Sequence, residues 1–290
     1  MAVTTELENA VERLPLKRVG ERSANALHKT VLRSPWLRRA ADVLHGTWLG
    51  HGLHPALTDF AIGAWFAGGG FDLVGALADS ESARWAGDRL AETGFALAIP
   101  TALSGLTDYT ATSPENIRPA TLHALLNTTS FALYGMSVVE RRWGNRTRGL
   151  AYSWAAQGLM LASAWIGGEL VEKLGMAVDH GQTFDGPRDW FAILPESQLR
   201  EGVPQRVEFD GKGILLVRHG DEIHAIAAVC SHYGGPLEEG TIKDDCVQCP
   251  WHDSVFDLRD GHVVHGPATF PMQRFDVRVN AGKIQLRLPR

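Results

Sequence analysis

Two short segments of the chain carry side chains that bind metal: Cys230-Ser-His232 and, after sixteen intervening residues, Cys249-Pro-Trp-His252. Each pairs a thiolate with an imidazole across one or two residues, so both donors of a pair must come from one tight loop. Two thiolates and two imidazoles satisfy tetrahedral zinc. They also satisfy a [2Fe–2S] cluster in which two cysteines hold one iron and two histidines the other. Zinc sites of this donor set usually pair Cys with Cys and follow with His-x-x-x-His, an order this chain lacks, so the cluster is the preferred reading. Three cysteines, at 230, 246 and 249, give no even disulfide framework. Cys246 is read as an inert buried thiol on the strand leading into the second loop. Gly234, Gly235 and Ser254 are small enough for loops packed closely against a cluster.

Such loops need a rigid scaffold, and the flanking sequence supplies one. Asp210-Gly-Lys-Gly213 and His219-Gly-Asp-Glu222 are turn signals that separate strands at 206–209, 214–218 and 222–228. Phe275, Val277 and Val279 alternate with polar residues, Asn280-Ala-Gly-Lys283 turns the chain, and Ile284, Leu286 and Leu288 alternate again. The expectation is a small all-β antiparallel sandwich over 189–290.

Around the four donors the sequence reads Cys230-Ser-His-Tyr-Gly-Gly-Pro-Leu237 and Cys249-Pro-Trp-His-Asp-Ser-Val-Phe-Asp257. This resembles the Rieske family over roughly the last hundred residues. The resemblance implies Cys230 and Cys249 on one iron and His232 and His252 on the other, with the imidazoles at an exposed tip. Rieske proteins of the cytochrome bc complexes carry an extra cysteine in each loop, joined as a disulfide; Gly235 and Trp251 stand at those positions here. High-potential centres also place a tyrosine two residues after the loop serine, whereas this chain follows Ser254 with Phe256. Fewer hydrogen bonds to the cluster sulfurs destabilise the reduced state. A ferredoxin-like potential on the order of −150 mV is therefore expected. Asp253 follows the last ligand, where the family usually has Gly, and its charge should lower the potential further.

Rieske oxygenases carry a second, mononuclear iron held by two His and a carboxylate on a large downstream domain. Thirty-eight residues follow His252, enough to finish the sandwich. His262 and His265, near Asp260, are read as surface histidines. The expected role is an electron-transfer component of oxidoreductase type, with no catalytic residues and no mononuclear iron of its own.

The first 180 residues differ in kind. A net charge of −5 and 44% apolar residues describe an ordinary soluble chain, but four apolar stretches lie at 60–78, 90–106, 119–139 and 149–168. A spanning helix needs about 20 apolar residues, so the last two qualify on length and the first two are marginal. Abundant glycine would let membrane helices approach closely. Against this stand His123, Asn127, Thr128, Thr129 and Ser130 in the third stretch, costly in lipid unless turned inward. A four-helix membrane bundle over 46–175 is preferred to a soluble one. The stretch His54-Pro-Ala-Leu-Thr-Asp-Phe-Ala-Ile-Gly63, with Gly105-Leu-Thr-Asp108 and the His123/Asn127 pair, resembles a family of four-helix bacterial membrane proteins of unknown function. The whole is thus read as α+β with two domains.

His54 and His123 flank expected spans and could ligate haem b. The preferred reading joins them with Asn127, Asp59, Asp72 and Asp108 in an interior polar network. Residues 1–45 read as a charged leader, with an amphipathic helix over 24–44 that could lie on a membrane, and 176–188 as a linker. Arginines at 141, 142, 146 and 148 mark a cytoplasmic loop by the positive-inside rule, which over four spans would put the cluster domain outside; the visible sequence shows no export signal for a folded cluster domain, and on that ground the domain is placed on the cytoplasmic side. No phosphate-cradling loop or basic patch suggests a nucleotide cofactor or nucleic acid. The expected partners are membrane lipid and a redox protein: a reductase, an oxygenase subunit or a respiratory component. A redox sensor is the further alternative.

Overall fold

The computed structural model describes residues 11–186 and 188–289, so the first ten residues of the expected leader and Pro187 of the expected linker lie outside the described residues. The chain forms two compact units: Met1–Ser34 with Leu53–Met176, and Pro35–Gly52 with Ala177–Arg290.

The helical unit contains α1 (Lys17–Arg33), α3 (Leu53–Leu77), α4 (Glu81–Tyr109), α5 (Ile117–Arg142) and α6 (Arg146–Glu172); α2 (Pro35–His45) belongs to the other unit. The single helix expected over 24–44 is broken. Pro35 lacks the N–H that would continue α1, and it pushes Ser34 into extended backbone (φ −125°, ψ 118°). The expected spans are hairpins α3–α4 and α5–α6. The Ser80 side chain caps α4 by accepting from the Ala83 N–H (3.3 Å), and α4 continues through Pro100.

The polarity of this bundle is inverted. Ser104, Ser130, Ser137 and Ser163 are at most 1% exposed, and Asp72 is 4% exposed, whereas Phe60, Leu103, Leu125 and Leu161 are half-exposed or more and Leu77 is 80% exposed. Inside, Ser130 Oγ donates to Ala156 O (2.9 Å) and the Ser137 and Ser153 hydroxyls pair at 2.6 Å. Arg141 donates to Asp72 (2.6 and 2.9 Å) and Asp88 (2.7 Å), and Arg146 to Asp72 (2.6 Å). Among the described residues one helix, Leu53–Leu77, is long and apolar enough to cross a membrane by length and composition. The other three expected spans fall short because each interleaves its apolar residues with charged or hydroxyl-bearing ones, such as Asp88, Arg89 and Glu92 in α4 and His123 to Ser130 in α5.

The β unit contains three antiparallel sheets. Strands β1 (Phe191–Pro195), β10 (Lys283–Arg287) and β9 (Asp276–Asn280) form the first, and β2 (Gln205–Phe209), β3 (Lys212–His219) and β4 (Glu222–Ala227) the second. The third comprises β5 (Thr241–Lys243), β6 (Cys246–Gln248), β7 (Val255–Asp257) and β8 (Val263–His265). The expected turns form tight hairpins: Asp210 and Gly211 (φ 51° and 72°), and Ala281 and Gly282 (φ 50° and 71°), occupy the left-handed conformations that two-residue connections require. The core is built from Ile214, Leu215, Leu216, Ile226, Leu237, Phe256, Ile284 and Leu286, all buried.

Residues 177–186, inside the expected linker, are tied to this unit. The Gln182 side chain accepts from Gly213 N–H (2.9 Å), and Phe184, buried in the core, exchanges two hydrogen bonds with the Gln273 amide (2.6 and 3.1 Å).

Candidate functional site

The four donors come from two loops built the same way. In the loop after β4, Cys230 N–H donates to Gly235 O (2.9 Å) and Gly234 N–H returns to Cys230 O (2.9 Å). In the β6–β7 hairpin, Cys249 N–H donates to Ser254 O (2.8 Å) and Asp253 N–H returns to Cys249 O (3.2 Å). Each loop is thus closed at the fifth residue after its cysteine, with the fourth left-handed: Gly234 at φ 76° and Asp253 at φ 63°. Asp253 is therefore the counterpart of Gly234. Aspartate tolerates this conformation better than most residues with a Cβ, and its side chain is further held by the Gln248 amide.

This symmetry turns the cysteines inward and leaves the histidines near the surface. Cys230 and Cys249 are 1% and 2% exposed, while His232 and His252 are half-buried, with ring centres 5.0 Å apart and planes at 86°. The two sulfurs share a hydrogen bond, which pushes the Cys230 thiol up and brings Cys249 down to about 7. Two thiols facing each other beneath two converging imidazoles fit the donor set of a [2Fe–2S] cluster. A disulfide between the loops is absent because Gly235 and Trp251 meet there: a Cβ on Gly235 would lie 3.2 Å from the Trp251 ring and 2.8 Å from Cys249 Sγ. Gly235→Ala is accordingly expected to lower cluster content several-fold in protein that still folds, read as iron and acid-labile sulfide per chain.

Of the surrounding residues singled out in the sequence, Ser254 is fully buried and its Oγ accepts from Ala268 N–H (3.0 Å), which leaves its hydroxyl proton available to donate. Phe256 is fully buried and Trp251 is 54% exposed. Cys246 is half-buried rather than buried, and its partial burial raises its pKa. His262 is the expected surface histidine, donating to Asp260 (2.6 Å). His265 differs: its Nδ1–H donates to Asp42 of α2 (2.7 Å), which also accepts from Gly266 N–H (2.9 Å).

Through that contact α2 docks beside the second loop, and Arg38 donates from Nη2 to the Asp253 carbonyl (3.1 Å). A positive charge thus stands next to the residue that follows His252. Sequence reasoning missed this residue, and it missed His180, whose ring stacks on Tyr233 at 5.4 Å, itself 4.5 Å from the His232 ring. Neither carries a local signal.

His54, His123 and Asn127 lie in the helical unit and come together there. His54 and His123 have ring centres 6.4 Å apart, and Asn127 Nδ2 donates to His123 Nε2 (2.9 Å). The wider network expected with the carboxylates does not form as one: Asp72 is committed to Arg141 and Arg146, and Asp59 is exposed.

Comparison with known proteins matches residues 189–276 to the Rieske [2Fe-2S] domain family and residues 50–180 to a family described as Predicted membrane protein (DUF2231). The anthranilate 1,2-dioxygenase ferredoxin subunit of Burkholderia cepacia is 30% identical over 100 residues, 34% of this chain and 93% of that protein. Apoptosis-inducing factor 3 of Mus musculus is 30% identical over 108 residues, 37% of this chain, and the match spans 18% of its length. The solved ferredoxin of carbazole 1,9a-dioxygenase from Nocardioides aromaticivorans IC177 shares 30% identity over 34% of this chain and 98% of its own, with a TM-score of 0.33.

Proposed function

Since the chain belongs to the Rieske [2Fe–2S] family, we propose that Cys230 and Cys249 hold one iron of its cluster and His232 and His252 the other, and that the chain passes single electrons from a reductase or quinol donor to a redox partner protein. The observation that carries this reading is the pair of matched loops, which turn two buried thiols and two half-exposed imidazoles toward one point. The cluster, when bound, supplies one-electron chemistry. The chain's own residues bury the sulfurs, present the imidazole edges to a docking partner, and set the potential through the charges of Asp253 and Arg38 beside the second loop. The anthranilate 1,2-dioxygenase ferredoxin subunit aligns over 93% of its own length, so an oxygenase component is one class of acceptor for this chain.

The helical unit is the proposed membrane anchor. Its outside carries large Phe, Leu, Val and Trp side chains while its inside, beside apolar residues such as Trp65 and Met160, holds buried Ser, Thr, Gln and paired charge, an arrangement that lipid favours more than water does. Both readings are tested on one preparation. Washed membranes, reduced with dithionite, are expected to show a rhombic EPR signal whose average g lies below the all-cysteine value. The signal should stay with the pellet through high salt and carbonate and leave it in detergent. A silent spectrum with one zinc per chain overturns the electron carrier, and a full signal in the wash overturns the anchor.

A further inference from the structure

The two helical hairpins repeat one another around a pair of histidines. His54, in the first turn of α3, places its Nδ1 3.0 Å from Thr101 O on α4, and its ring lies where a Cβ on Gly105 would fall, at 2.6 Å. His123, in the second turn of α5, places its Nδ1 2.9 Å from Ser163 O on α6, and a Cβ on Gly167 would meet its ring at 3.0 Å. In both hairpins the carbonyl and the glycine are four residues apart on the facing helix. A carbonyl can only accept, so each Nδ1 carries the proton and each Nε2 presents a lone pair. That is how proteins fix an imidazole as a metal ligand, with the second ring nitrogen donating to a backbone carbonyl.

We propose that His54 and His123 are the two axial ligands of a haem held between the hairpins. Two imidazoles on opposite sides of one iron, each bonded at about 2 Å, have ring centres about 6 Å apart. The observed separation is 6.4 Å, with the rings at 87°. Ligand number selects the cofactor. A bare zinc or iron ion needs about four protein or water donors. Outside the cluster site, the described residues that bring three candidate metal donors within 4.8 Å of one another are Asp257, Asp260 and His262, which include neither of these histidines. Two imidazoles are a complete protein set where a porphyrin supplies the four equatorial nitrogens. Asn127 now donates to His123 Nε2 (2.9 Å) and occupies the lone pair that the iron would take. It must swing aside on binding, and it therefore competes with the haem.

The test is titration of the full-length, detergent-purified chain with hemin, read by optical spectroscopy, with the Rieske EPR signal recorded on the same sample. The expected result is saturation at one hemin per chain with the Soret and paired visible bands of a six-coordinate low-spin iron. His54→Ala and His123→Ala should each weaken binding at least tenfold, and His123→Met should keep a haem but change its spectrum. Asn127→Ala should bind several-fold more tightly. The circular dichroism of each variant verifies its helices, so lost binding is separable from lost fold. No saturable Soret change, or hemin uptake indifferent to both histidines, overturns the site. The EPR signal reports independently on the cluster reading, which can stand when the haem site falls.

Discussion

Cys249→Ser is expected to abolish the reduced-cluster EPR signal and to leave the β unit markedly less stable. Cys249 is 2% exposed, its N–H closes the β6–β7 loop on Ser254 O, and its sulfur lies against that of Cys230. Serine preserves the shape but is a poor ligand for iron, and with the proposed ligand set the three remaining donors would leave one iron without a full set. Because a preformed site is absent from the unfolded chain, the free energy of cluster binding is also folding free energy. The structural metals for which it is known contribute on the order of 10 kcal/mol, so the loss should reach several kcal/mol and exceed that of any single core truncation in the same unit. The measurement is a pair: EPR at matched protein concentration, and thermal unfolding followed in the β-sheet signal. Ser254→Ala is the control. It removes one hydroxyl from the same loop, leaves all four donors, and should keep the signal while lowering the potential. A Cys249→Ser protein with an unchanged rhombic signal would remove Cys249 from the ligand set.

The two loops that bring the Cys and His donors together were legible in the sequence because their information is local. Spacing fixes which donors share a loop, and Gly234 marks the left-handed residue that closes the first loop. The same logic applied to the second loop reads Asp253 as a charge, yet the structure gives it a backbone role at φ 63° as well. The hairpins of the β unit were legible for a similar reason: Asp210-Gly211 and Ala281-Gly282 announce their own conformations. The role of α2 was not legible. Arg38 reaches Asp253 across a sequence separation of 215 residues, and the amphipathic pattern of residues 35–44 serves a β-sheet partner as well as it serves lipid. The segment 177–186 looks like a linker because it lacks periodicity, but one core phenylalanine and two side-chain amides tie it down. In the helical unit the sequence marked the ionisable groups without showing how they sort. The sorting depends on which helix faces which, and only the fold makes His54 meet His123 while Asp72 meets Arg141.

That last pairing carries the other large expected effect. Asp72→Ala should destabilise the helical unit by about 3–5 kcal/mol, the usual result of stripping one partner from a buried ion pair. The Asp72 and Arg141 side chains are 3% and 4% exposed, and Arg141 spreads its donors over Asp72, Asp88 and the Ser137 and Ser153 hydroxyls. Without Asp72 the guanidinium keeps Asp88 but leaves an arm without its carboxylate, in an interior with no bulk water to replace it. Arg146, which also donates to Asp72, loses a partner at the same time. Glu92→Ala is the contrast: its partners Arg142 and Arg89 are 65% and 51% exposed, and an exposed pair is worth about 1 kcal/mol or less. A second comparison separates the lost pair from the orphaned charge. Asp72→Leu combined with Arg141→Met removes both charges and should recover most of the loss, because an apolar replacement of a buried pair is often neutral. Trp65 stacks on Tyr134 at 3.9 Å beside the same network, and its contribution to the fluorescence is the difference between each variant and the same variant carrying Trp65→Phe. Thermal unfolding in detergent, followed at Trp65 with the Rieske EPR signal as an internal reference, measures all three variants. If Asp72→Ala unfolds with Glu92→Ala, the buried network is ornamental to stability and the hairpins are held by glycine-mediated packing alone.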